Sequence, residues 1–171
     1  MKNYSFFLFK LAAGILILSA AAIASEPNNI EDIFKTNGFE WLWGSWQTTT
    51  DANEIVTAKF EPILNGHAFK TEAQIGESYH YAGLVYYDPA KKIIVNTGID
   101  NTGRIFGGNW EITEAKLLLN IEQTSPDGTV SHFMRYLTQV NPNTMNSATY
   151  SVFEGRRSTS PINVLDLKRI K

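Results

Sequence analysis

The stretch VTAKFEPILNGHAFKTEA, residues 56–73, decides the fold. Asn65-Gly66 at its centre is the strongest two-residue hairpin signal in the chain, because both residues tolerate positive φ. Folding the stretch about it sets Leu64 against His67, and hence Glu61 against Lys70 and Lys59 against Glu72. These are two opposite-charge pairs on one face. The other face then holds Val56, Ala58, Phe60 and Pro62, with His67, Phe69, Thr71 and Ala73 across from them. Charges on one side and a mostly apolar row on the other describe a half-buried antiparallel hairpin.

The same operation extends outward from the hairpin. A turn at Gly76-Glu77 predicts His80, Ala82, Leu84 and Tyr86 on the inner face. Asp88-Pro89-Ala90-Lys91 then brings in Ile93, Val95, Thr97 and Ile99, and Asn101-Thr102 brings in Arg104, Phe106, Gly108 and Trp110. Glu114-Ala115 adds Leu117, Leu119, Ile121 and Gln123. The turn Ser125–Gly128 adds Val130, His132, Met134 and Tyr136, and Asn141-Pro142-Asn143 adds Ala148, Tyr150 and Val152. Turns recur about every 8–12 positions, as in antiparallel sandwiches and barrels. With 46–50 in front and 163–170 behind, about ten strands are expected. Asn28 or Asn29 can cap a short helix running through Lys35, with Glu31 and Asp32 in its first turn and Gly38 ending it. A long meander with one apolar face most simply closes on itself, which removes its exposed edges. The expectation is an all-β, antiparallel up-and-down barrel of about ten strands preceded by a short N-terminal helix.

Gly44-Ser45-Trp46, on the first strand after that helix, resembles the G-x-W opening of lipocalins and related calycin barrels. The segments Ile63-Leu64-Asn65-Gly66, Tyr86-Tyr87-Asp88-Pro89 and Asp100-Asn101 with the glycines that follow resemble a lipocalin-like bacterial family known as domain of unknown function 1579. The likeness spans most of residues 38–155. It implies a calycin-type barrel, commonly a carrier of small apolar molecules, and no established activity. It also implies that a late cation, Arg169 or Lys168, packs over the opening Trp46.

Composition narrows the function. The 171 residues suit a single domain, and a net charge of −2 does not suit a protein that works by neutralising nucleic-acid phosphates. There is no cysteine, which excludes disulfides, thiolate metal sites and thiol nucleophiles. The N-terminus carries Lys2 and Lys10, then the apolar run Leu11–Leu18, then Ala22-Ile23-Ala24 as an A-x-A cleavage site. Residues 1–24 read as a signal peptide and 25–171 as one mature domain, exported to the periplasm or beyond. The apolar run is shorter than the roughly 20 residues of a membrane span, so no stable membrane insertion is expected after its removal.

By parity, the end of the barrel near Asn65-Gly66 is filled by Trp46, Tyr86, Trp110, Met134 and Tyr150. The opposite end is open and carries the candidate ligand-binding residues His80, Thr97, Arg104, Phe106, Gln123, Val130 and His132. Arg104 is expected to hold an anionic or acceptor head, since a guanidinium fork matches a carboxylate bidentately. No catalytic set, metal site or cofactor motif is assigned. G-x-S-x-G, a phosphate loop and H-E-x-x-H are missing, and the GRIFGG segment at 103–108 lies within strands rather than opening a helix. Three functions are consistent with this: a binding protein for a small apolar molecule, a barrel isomerase, cyclase or hydrolase using an inward His, or an envelope interaction module. In the last, the barrel is fully packed and outward Phe133 and Leu137 form part of a docking patch.

Overall fold

A computed structural model describes residues 29–170. The expected signal peptide and its cleavage site fall outside these residues. A helix α1 (Ile30–Thr36) is followed by β1 (Gly44–Thr49), β2 (Ile55–Ile63), β3 (Ala68–Ile75), β4 (Tyr79–Asp88), β5 (Ile93–Asp100) and β6 (Ile105–Ile112). Then come β7 (Leu117–Thr124), β8 (Val130–Asn141), β9 (Thr144–Phe153), the two-residue β10 (Arg156–Arg157) and β11 (Asn163–Ile170). Neighbours pair antiparallel from β1 through β9, and β11 closes the ring between β9 and β1. The short β10 pairs with the end of β9 ahead of β11, so that the tenth stave is interrupted rather than continuous. The result is a closed ten-strand barrel. Among the described residues, no helix is long and apolar enough to cross a membrane.

Helix α1 plugs one end of the barrel. Asn29 caps it by accepting the Asp32 N–H at 2.8 Å. At the other terminus Gly38, with φ +75°, lets the Gly38 and Phe39 N–H groups reach back to the Lys35 and Phe34 carbonyls. This Schellman turn comes with its usual apolar contact, Phe39 edge-on to Phe34 with ring centroids 6.4 Å apart. The buried face of α1 (Ile30, Ile33, Phe34) joins Trp43, Phe60, Phe69 and Trp110 in one aromatic cluster. Trp46 beside it is fully buried and donates Nε1–H to the Leu42 carbonyl at 2.9 Å.

The seam between β1 and β11 is latched by Arg169. Its guanidinium lies 4.2 Å from the centre of the Trp46 ring and donates to the Trp43 carbonyl at 2.5 Å and to the Trp41 carbonyl. Of the two cations expected over Trp46, Arg169 takes the place.

The register of the 56–73 hairpin is as expected: Lys59 faces Glu72 and Glu61 faces Lys70. The ion pairs themselves run along each strand, Lys59 to Glu61 at 2.7 Å and Lys70 to Glu72 at 2.6 Å. The ladder stops at Ile63–Ala68, with 64–66 wound into a 3-10 turn and His67 exposed beyond it. Other turns differ from expectation by one residue. After β3 the loop has three residues, pairing Ile75 with Tyr79, and Gly76 takes φ +55°. A one-residue slip reverses every side chain that follows. Tyr79, Tyr81, Val85, Ile94, Asn96 and Asp100 therefore face inward, while His80, Leu84, Tyr86, Ile93, Thr97 and Ile99 face out and are exposed. A second slip, pairing Ile99 with Ile105, restores the expected phase on β6 and β7. A third, pairing Thr124 with Val130 across a five-residue turn, reverses β8 and β9. Phe133, Arg135, Leu137, Met145, Ser147 and Thr149 consequently line the interior, and Val130, His132, Met134, Tyr136 and Tyr150 lie outside.

Candidate functional site

The barrel encloses a cavity of about 540 Å3. Its floor is the aromatic cluster over α1, where Trp110 and Phe60 meet it. Its walls are mainly apolar: Val56, Ala58, Ala73, Phe106, Ile121, Phe133 and Leu165. It extends toward the end opposite the helix, where Ile75, Ser78, Tyr79, Arg104, Gln123 and Ile162 line it. Gly83 and Gly98, paired across β4 and β5, provide a trough for the Tyr81 ring. A Cβ at Gly83 or Gly98 would fall 2.3 or 2.5 Å from the Tyr81 hydroxyl oxygen. Tyr81 thus lies along the wall, edge-on to Phe106 at 5.3 Å, instead of filling the lumen.

Of the sequence-predicted ligand residues, Arg104, Phe106 and Gln123 line this cavity. His80, Thr97, Val130 and His132 do not: the two turn slips put them on the outer surface, where all four are exposed. His80 Nε2 lies 3.3 Å from the Glu77 carbonyl, and His132 Nδ1 is 3.9 Å from Glu122. Phe133 and Leu137, expected on an outer docking patch, are interior instead. At the plugged end Trp46 and Trp110 are buried as expected, whereas Tyr86, Met134 and Tyr150 are outside.

Arg104 is not the free cation that its sequence position suggests. Its Nε donates to Asp100 Oδ2 at 2.7 Å, and that carboxylate is fully shielded from solvent. Asp100 Oδ1 also accepts from the Thr102 N–H, the Thr102 hydroxyl and the Arg104 N–H, at 2.7–3.0 Å. Burial alone would raise the Asp100 pKa. The Thr102 and Arg104 hydrogen bonds outweigh it and hold the carboxyl below its usual range. Arg104 also lies 5.5 Å from the Tyr79 ring centre.

The cation that reading the sequence missed is Arg135. It projects from the middle of β8 into the barrel, between Phe133 and Leu137 on the same face. Its Nε donates to the Thr149 hydroxyl at 3.0 Å. Among the described residues no carboxylate pairs with it, although much of its surface faces the cavity. Burial lowers its pKa, opposed by the Tyr79 and Tyr81 phenols, which lie close enough to act on it. A guanidinium nonetheless stays protonated in proteins. Burial, with the Asp100 carboxylate adding to it, pushes the Tyr79 hydroxyl up, which keeps it a donor. Among the described residues, no three His, Asp or Glu side chains come together in a way that would hold a metal.

No protein-family model matches the chain, and no curated protein matches it.

Proposed function

We propose that this barrel binds one small, predominantly apolar molecule in its interior, as a lipocalin-like binding protein exported by its leader to the periplasm or beyond. The cavity carries the reading. At about 540 Å3 it falls within the range of roughly 300–1,000 Å3 that holds small ligands, and it has the usual make-up of an apolar wall with a few polar groups. A barrel packed solid for docking through its outside would have no reason to lay Tyr81 flat over two glycines. The exposed positions of His67, His80 and His132 favour binding over His-based acid–base chemistry in the lumen, since none of them lines the cavity.

A titration with the neutral fluorophore N-phenyl-1-naphthylamine tests this. Wild-type protein should bind one equivalent. The Ile121→Trp variant, which narrows the lumen from β7, should fold and bind more weakly. No binding by the wild type, or undiminished binding by Ile121→Trp, would overturn the reading.

A further inference from the structure

The cavity could suit any apolar guest, but one group in it is out of keeping with an apolar host. Taking a cation away from water is costly unless an anion or a set of acceptors replaces its hydration. Arg104 meets that requirement with Asp100, whereas Arg135, which is open to the lumen, has only the Thr149 hydroxyl to replace its hydration once a guest fills the space. That single contact also orients it. Thr149 occupies Nε, so the two terminal nitrogens form the edge of the fork left for the lumen. This edge presents two parallel N–H donors, the spacing that a carboxylate accepts bidentately. Tyr79 and Tyr81, on β4, place their phenol rings close enough to act on the same guanidinium. One uncompensated positive charge calls for one negative charge, which favours a monoanion over a dianionic phosphate ester.

We propose that the ligand is an amphipathic monocarboxylate whose head is bound by Arg135 and whose apolar body lies against Phe106, Ile121 and Phe133. This rests on the interior-cavity reading above and specifies its substrate class. Arg135 then belongs in the barrel for binding: much of its surface is open to the lumen, and a guest that displaces solvent there has to replace the hydration of its charge.

The test is displacement of the neutral fluorophore by decanoate and by decanol, the same chain with a neutral head. Wild-type protein should prefer decanoate by roughly ten- to a hundredfold, the range for hydrogen bonds to a charged group. In Arg135→Met, which keeps the volume, the preference should disappear with decanol binding and the melting temperature little changed. A purely structural Arg135 would instead give a lower melting temperature and equal weakening of both ligands. Equal affinities for decanoate and decanol in the wild type would overturn the head-group assignment and leave the cavity reading intact. Failure of both to displace a bound fluorophore would overturn the monocarboxylate assignment, and failure of the fluorophore itself to bind would overturn the cavity reading. The wild-type comparison needs no variant, and should Arg135→Met not fold, Arg135→Gln takes its place.

Discussion

Asp100 organises the turn between β5 and β6 with one carboxylate, accepting from two backbone N–H groups, a hydroxyl and a guanidinium. Asn keeps its shape but neither its charge nor all its acceptor positions. Asp100→Asn should therefore lose about 1.5–3 kcal/mol at neutral pH in a denaturant titration, the worth of hydrogen bonds to a charged group. The direction of its pKa shift fixes the pH dependence. The folded value lies below the ordinary one, so the contribution is fully present above the unfolded pKa of about 3.9 and is lost as pH falls through the folded value. The gap between wild type and variant should be constant from pH 5 to 8 and narrow on acidification below about pH 4. A gap that widened there would contradict the assignment.

At the scale of strands and turns, the adjacent glycines of β6 make a clean comparison. Gly108 has φ +145°, and a Cβ there would fall 1.9 Å from the Asn120 carbonyl oxygen of β7. Gly107 faces outward with nothing within 4 Å of such a Cβ. Gly108→Ala should cost about 1–3 kcal/mol or more from backbone strain and the clash, whereas Gly107→Ala should be neutral or gain a few tenths. Thermal unfolding of the pair checks both. The turns also explain how far sequence reading carries. Strand count, the N-terminal plug, the Lys59–Glu72 register and the inner rows of β6 and β7 were all legible, because Asn65-Gly66 and the alternation on those strands are unambiguous. The facing of β4 was not, since Tyr79, Tyr81, Val85 and Tyr87 alternate with Ala82, Leu84 and Tyr86 and both rows look apolar. On β8 the error arose at the turn before it. The turn was read as the four residues Ser125–Gly128, whereas five separate Thr124 from Val130, and Arg135 between Phe133 and Leu137 left no clean apolar row to correct the phase. An Arg flanked at i±2 by Phe133 and Leu137 was the signal available, and local rules tend to be broken at functional positions.

Taken whole, the molecule is stabilised at one end and left accessible at the other. Trp46 stands where the plug, the floor and the seam meet, covered by Arg169 and bonded to Leu42. Trp46→Ala should cost about 3–5 kcal/mol, as large-to-small core changes do, with a lower denaturant midpoint as the readout. The seam has a consequence in time as well as in space. Strand β1 is made early, yet its second partner is β11: Ser45 pairs with Ile170, and Arg169 reaches back to Trp41 and Trp43. The entropy of bringing such distant segments together must be met before their contacts contribute, so joining them is a slow, late event. A growing chain keeps one edge of β1 unpaired until β11 has been synthesised, so any sheet that forms before then stays open along that edge.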